Sequence, residues 1–499
     1  MYEILKNITL RNFADYNKIT TFAVFWTMKD LTQGHIGGNI LKFAAPMLLG
    51  NIFQQAYNIV DSIIVGKLVG VEALAAVGAS FPIIFTLISF VIGIASGGTI
   101  VISQYFGAKD YKSVVRTIDT LYIFIFFASI LISTIGITFS EEIFRMTDLP
   151  EEVIPDATTY LNTILFGTVL FFGFNGTSAI LRGLGDSVTP LVFLIIASIL
   201  NIALDIIFIK YFGMGTQGAA LATVIAHGGA FLAAILYLNR THKLVRLRLN
   251  QLVFDWGIFW KSFRIGVPSG LQHTFVSLGM LALFRIVNGF GTNVIAAYTV
   301  AGRIDNLAML PAMNFGQALS TFVGQNMGAN KPNRVRSGLL ATLGMSSFIS
   351  ILLTVLILSF KSQLMGLFTN DANVISIGMK YLVIVSSCYI IFSTMFSLNG
   401  VLRGAGDTIV PMFITLFSLW IIRVPLAAVL SGNFNEYLHN NGLNINLPEL
   451  FSGTLQEVGI WWAIPIGWLT GAIFSFIYYL TGNWRKKVIV KYTDQNLYN

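Results

Sequence analysis

The sequence is short of the parts from which soluble enzymes are built. It has one cysteine, Cys388, set in an apolar run, which excludes disulfides and a cysteine metal cluster. Its five histidines, His35, His227, His242, His273 and His439, are scattered and form no HExxH or Cys/His pattern, which excludes the familiar zinc sites. There is no Walker-type glycine-rich phosphate loop, so nothing points to ATP as an energy source. Charged residues make up only 11% of the 499 positions while 55% are hydrophobic, a balance that excludes a soluble globular chain. No catalytic constellation remains, and the chain does not read as an enzyme.

What is present is a series of long apolar runs, such as LYIFIFFASILISTIGITFS at 121–140, each able to span about 30 Å as helix. Twelve are found, at about 39–66, 76–104, 118–140, 157–180, 188–212, 216–238, 262–289, 294–324, 338–360, 374–400, 409–431 and 458–482. The expectation is an all-α integral membrane protein with twelve transmembrane helices. Net charge is +8, and alternate connections hold most of it: Lys109, Lys112 and Arg116; Arg182; 240–264; Lys331, Arg334 and Arg336; Arg403; and Arg485 to Lys491. The opposite connections are acidic, as at 140–153, or lack Lys and Arg, as at 433–459. By the positive-inside rule both termini are cytoplasmic, and the basic residues need no nucleic-acid partner. Residues 1–27 do not read as a signal peptide. They are either an extension or sequence upstream of a start at Met28.

The chain repeats itself. LRGLGDSVTP at 181–190 returns as LRGAGDTIVP at 402–411, 221 residues later, and ISQYFGAKD at 102–110 returns at the same offset as VGQNMGANK at 323–331. The Gly70 region likewise matches Gly291. Two parallel six-helix lobes follow, an architecture used by secondary transporters. The expected organisation is an extension at 1–38, lobes at 39–238 and 262–482, a basic linker at 239–261 and a cytoplasmic tail at 483–499. Arg182 and Asp186, like Arg403 and Asp407, read as turn-fixing residues at the cytoplasmic surface.

The halves differ inside the membrane. At the repeat offset Asp61 faces Ala282, Asn201 faces Ile422 and Asp205 faces Leu426. Asp61 lies fifteen residues after Pro46, and Asp205 fifteen after Pro190. At about 1.5 Å per residue both carboxylates sit about 22 Å from their prolines, and Thr223 reaches a similar level from the other side. Asn201 and Asp205, four apart, share a helix face. A carboxylate at that depth costs about 2.5 kcal/mol or more on insertion scales and marks an ion or proton path. The four residues are candidates to bind a proton or, at Asn201, Asp205 and Thr223, a sodium ion.

NIVDSIIVGKLVG at 58–70, the paired LRGxGD motifs, GQALSTFVGQNMGA at 316–329 and the Asn-x-x-x-Asp of span five resemble the multidrug and toxic compound extrusion (MATE) transporters, in the branch similar to DNA-damage-inducible bacterial efflux proteins. The resemblance runs from Met28 to about Arg485. It implies two lobes in a V around a central cavity, a bacterial inner-membrane location, and export of cationic or amphipathic compounds in exchange for protons or sodium ions, with no cofactor and as a monomer. It places ion coupling on Asp61, Asn201, Asp205 and Thr223, and a bend near Pro46. The acidic residue that another branch carries early in span seven is missing, since that region reads PSGLQHTFVSLG. His273 there is either a titrating group or a hydrogen-bonded interior histidine. Arg303, Asp305 and Arg423 form either a structural ion pair or part of the transport path. A lipid-linked oligosaccharide flippase, expected to line its cavity with several cations, is the alternative reading.

Overall fold

A computed structural model describes residues 28–147, 149–432 and 455–490. The expectations for 1–27, for the 433–454 part of the Lys/Arg-free connection and for 491–499 lie outside the described residues. Everything regular among those described is helical.

The first half consists of α1 (Ile36–Leu68), α2 (Val71–Gly107), α3 (Tyr111–Thr138), the short α4 (Ser140–Met146), α5 (Ile154–Phe166), α6 (Thr168–Gly183), α7 (Val188–Asp205) and α8 (Gly215–Thr241). The second repeats the order with α9 (Trp256–Asn288), α10 (Thr292–Gly328), α11 (Pro332–Gly366), α12 (Ala372–Ser386), α13 (Tyr389–Gly404), α14 (Ile409–Leu416), α15 (Val424–Ser431) and α16 (Glu457–Thr481). The repeat extends to distortions. α5 and α6 form one span bent by 54°, and α12 and α13 another bent by 47°. Both fifth spans carry a π turn, Ile206–Tyr211 after α7 and Phe417–Arg423 between α14 and α15.

Among the described residues, eight helices are individually long and apolar enough to cross a membrane, and three bent pairs raise this to eleven. The remaining span is α10, which has the required length at 37 residues but carries Arg303, Asp305, Asn314, Gln317, Gln325 and Asn326. Most of these polar groups are turned inward, with Asp305, Asn314, Gln325 and Asn326 all buried. α10 is held by neighbouring helices rather than by lipid, which explains why its hydropathy falls short.

The halves meet along α2 and α9, where the backbones touch. A Cβ on Gly97 would lie 2.3 Å from Ser262 O, so only glycine permits this approach. At the ends of α2 and α10 the contact is reciprocal: a Cβ on Gly107 would meet Gln325 O at 1.9 Å, and one on Gly328 would meet Gln104 O at 1.9 Å. These approaches crowd the half of the bundle nearest the basic face, as a V pinched at that face requires.

Two buried glutamines lock the same face. Gln104 Nε2 donates to Gly404 O in the other half (3.0 Å), while its Oε1 accepts from Ile489 N (2.8 Å). Gln325 Nε2 donates to Gly183 O (3.3 Å), and its Oε1 accepts from Leu31 N (2.9 Å). The second glycine of each LRGxGD motif adopts a left-handed conformation, Gly185 at φ +82 and Gly406 at +95. A Cβ there would press on Lys29 O (2.4 Å) or Lys487 O (3.0 Å).

Residues 28–35 and the segment from Trp484 to Ile489 are thus part of the fold. Leu31 and Thr32 are buried, Lys331 Nζ donates to Thr32 O (3.0 Å), and Arg334 Nη2 donates to Gly34 O (3.1 Å). Trp484, in the segment expected to be a tail, is also buried. Residues 31–34 bond to the second half while Lys29 O lies against Gly185 of the first, and the chain near Ile489 docks on the first half.

Candidate functional site

α7 starts just after Asp186, whose Oδ1 accepts from Val188 N and Thr189 N, both at 3.0 Å. That cap fixes the turn, as the motif suggested. From there α7 carries Asn201 and Asp205 to a position where neither is exposed (0%). The Asn201 amide bridges α7 and α8 when its nitrogen is assigned toward the carboxylate. Nδ2 then donates to Asp205 Oδ2 (3.3 Å), and Oδ1 accepts from Thr223 N and Oγ1 (3.3 Å each).

α1 brings Asp61 against Asp205, with the two carboxyl groups within hydrogen-bonding reach of each other. Asp61 Oδ1 and Asp205 Oδ1 are both buried without a hydrogen-bond partner. No basic side chain is among the groups acting on either carboxyl. Two ionised carboxylates cannot share such a site without something positive between them. The arrangement can therefore hold one proton between the carboxyls, or a small cation on their oxygens with the Asn201 and Thr223 oxygens nearby. The π turn starts immediately after Asp205 and interrupts the regular backbone ladder at that point.

Two tyrosines complete the surroundings. Tyr57, one turn before Asp61, and Tyr160 from α5 both lie close enough to interact with the two carboxylates. One turn along α8 from Thr223, His227 Nδ1 bonds Thr223 O (2.9 Å), and its ring packs against Phe171 (5.0 Å) and Phe174 (5.8 Å). Below His227, toward the basic face, lies a cavity of about 90 Å³ between α1, α6, α7 and α8, closed on one side by Asn314 and Gln317 of α10. Pro46 lines it, within an α1 that runs unbroken from Ile36 to Leu68.

The second half holds no equivalent acidic pair among the described residues. Asp305 accepts from Tyr389 Oη (2.6 Å) and Tyr381 Oη (3.2 Å). Arg423 is near enough for its charge to act on Asp305, but the two form no direct ion pair. The expected cluster of His273, Arg303, Asp305 and Arg423 is thus divided. Arg303 is exposed, because two helical positions separate it from Asp305 by about 200°. His273 sits beside Arg403 instead.

The family model MatE matches the chain twice, over residues 46–207 and again over 268–429, once in each half. The chain belongs to the MATE family. MATE proteins are transporters, and the paired match is the internal duplication seen in the fold. Among its relatives, the probable multidrug resistance protein YpnP of Bacillus subtilis is 33% identical over 456 residues, covering 91% of this chain and 97% of the relative. An FAD transporter of Shewanella oneidensis is 26% identical over 441 residues, covering 84% and 94%. A solved structure described as the outward-facing conformation of a multidrug resistance MATE family transporter of the MOP superfamily superposes with a TM-score of 0.82 at 25% identity, over 92% of this chain and 98% of that one.

Three features of this MATE chain escape a reading by hydropathy. Tyr57 and Tyr160 count as apolar residues in a window average, although the i−4 spacing of Tyr57 from Asp61 was a usable signal. The third is Arg182. Expected to fix the motif turn, it does so only through its backbone carbonyl, which accepts from Gly185 N (3.0 Å); its side chain makes no hydrogen bond or ion pair, its Nε is buried without a partner, and it faces the cavity.

Proposed function

We propose that this protein is a secondary antiporter that exports amphipathic, chiefly cationic, small molecules from the cytoplasm of a bacterial cell in exchange for protons or sodium ions. The observation that carries the reading is the pair Asp61 and Asp205, each with a buried, unpartnered oxygen and no basic counter-ion. Asn201 and Thr223 supply the neighbouring oxygens. Multidrug resistance is what the names of the relatives assert of those relatives, and it agrees with a site that selects a positive charge.

On this reading the cation or proton enters from the side opposite the termini, and its arrival neutralises the carboxylates. Pro46 cannot donate to the carbonyl four residues earlier, which gives α1 a weak point at which neutralisation can bend it. The glutamine-locked face is then the cytoplasmic one, both termini are cytoplasmic, and the protein works as a monomer in the inner membrane. A flippase for lipid-linked sugars would need several cations in its cavity. Arg182 is the single Arg or Lys among the described lining residues.

The test is ethidium efflux from proteoliposomes under an imposed pH gradient and, separately, an imposed sodium gradient. Wild type responds to at least one, and Asp205→Asn to neither. Wild-type-like transport by Asp205→Asn would overturn the assignment of coupling to this site.

A further inference from the structure

The internal repeat provides a control for the cavity beneath the carboxylates. Arg182 and Arg403 occupy the same place in the two LRGxGD motifs, and Asn51 and Gln272 correspond at the same offset. In the second half Gln272 Oε1 accepts from Arg403 Nη2 at 2.6 Å, so that arginine has a fixed partner. In the first half the shorter Asn51 turns away, and its Nδ2 donates to Asn314 Oδ1 across the interface at 3.0 Å. Asp186, the nearest acid in sequence, is occupied in capping α7, where its Oδ2 also accepts from Thr189 Oγ1. The Arg182 side chain is left without any partner among the described residues, at the edge of a cavity otherwise lined by amides, hydroxyls, apolar side chains and the His227 ring; its Nε is sealed from solvent, as is that of Arg403.

Charge separates the two ends of this space. Seven residues of α1, about 10 Å, lie between Gln54 in the cavity wall and Asp61 in the carboxylate pair. A positive guanidinium therefore stands below and two acids above, with Phe171, Phe174 and His227 between them. Only Nε of Arg182 is sealed from solvent; its two Nη groups carry no protein partner and open toward the cavity, and the planar fork they form matches carboxylate and phosphate oxygens.

We propose that Arg182 is the anion-recognising residue of the transport cavity, binding a carboxylate or phosphate on an amphipathic molecule. Asn175 and Ser178, which share the α6 face with it, offer further donors, and Phe171, Phe174, Leu191 and Leu194 flank the apolar body. This deepens the antiport reading and rests on it. It makes zwitterionic amphiphiles a preferred class among the exported molecules, with their negative end toward the basic face and their positive end toward Asp61 and Asp205.

The test compares equilibrium binding of a fluoroquinolone acid and its ethyl ester to the purified full-length protein in nanodiscs, with no gradient. Wild type should favour the acid by about tenfold, the size of one charge-assisted hydrogen bond. Arg182→Gln should bring the ratio to about one, and Arg182→Lys should retain part of the preference. Asn51→Gln provides a second route, because it recreates the Gln272 arrangement and ties Arg182 down without removing its charge; the ratio should again fall.

Nanodiscs of phosphatidylcholine alone and with phosphatidylglycerol separate two sources of the anion. A preference reduced only by phosphatidylglycerol assigns the site to a lipid phosphate as well, and one unaffected by lipid assigns it to the soluble acid. A ratio near one for wild type in both lipids, or a ratio that survives both Arg182→Gln and Asn51→Gln, overturns the proposal. Loss of wild-type ethidium efflux under every gradient would instead strike the antiport reading, which this binding comparison does not use.

Discussion

Replacing Gln325 with leucine should open the basic face. Gln325 is fully buried and joins the halves twice, through Gly183 O at 3.3 Å and Leu31 N at 2.9 Å. Leucine fills a similar volume but leaves both backbone groups unsatisfied. Each orphaned group costs about 1–3 kcal/mol, so the closed arrangement loses about 2–6 kcal/mol. Once the halves separate, water can reach both groups and the penalty disappears. At about 1.4 kcal/mol per decade, the closed-to-open ratio falls roughly 30- to 20,000-fold. Spin labels on the exposed Lys109 and Asn330, in a Cys388→Ser background that leaves no other thiol, report the separation by double electron–electron resonance. Wild type should show one short distance, Gln325→Leu an added longer population, and Gln104→Leu with Gln325→Leu mostly the longer one. If the double variant is folded and keeps the wild-type distance distribution, the reasoning about these hydrogen bonds is refuted.

Other outcomes follow from the same geometry. Gly107→Ala and Gly328→Ala should each shift the same distance outward, because their new methyl groups would meet a backbone oxygen at 1.9 Å in the closed form. A pH-indicator assay should detect proton release when wild type binds a cationic substrate under proton-coupled conditions, and none from Asp61→Asn or Asp205→Asn. Tyr389→Phe removes the 2.6 Å bond to Asp305 and should cost about 1.5–3 kcal/mol of stability, read as a lower melting temperature in detergent, while leaving gradient-driven transport in place. Loss of coupling at unchanged stability would instead assign Asp305 to the ion path.

How much of this was legible beforehand depended on which coordinate a residue pattern encodes. Apolar runs encode length, and all twelve spans were found, including α10, whose polar side chains depress its average. The i, i+4 spacing of Asn201 and Asp205 encodes a face, and counting from Pro46 and Pro190 encodes depth. Together these brought Asp61, Asn201, Asp205 and Thr223 to one place. Depth alone says nothing about rotation, which is why Arg303 was grouped with Asp305 although it points away. Contacts between segments distant in sequence carry no local signal. Nothing near Leu31 or Ile489 announces a glutamine about three hundred residues or more away, and the diversion of Asn51 to Asn314 depends on how the halves are seated.

The two glutamine slots are equivalent in construction and differ in what fills them: the segment at Leu31 enters one and the segment at Ile489 the other. Gln104 reaching Gly404 and Gln325 reaching Gly183 is the reciprocal pattern of an isologous dimer contact, here carried by a single polypeptide. The covalent connection between α8 and α9 supplies none of these four hydrogen bonds. A chain cut within 242–255 would therefore yield two polypeptides that each keep one plug and one slot-forming glutamine, and their association would be that of exchanged arms between subunits.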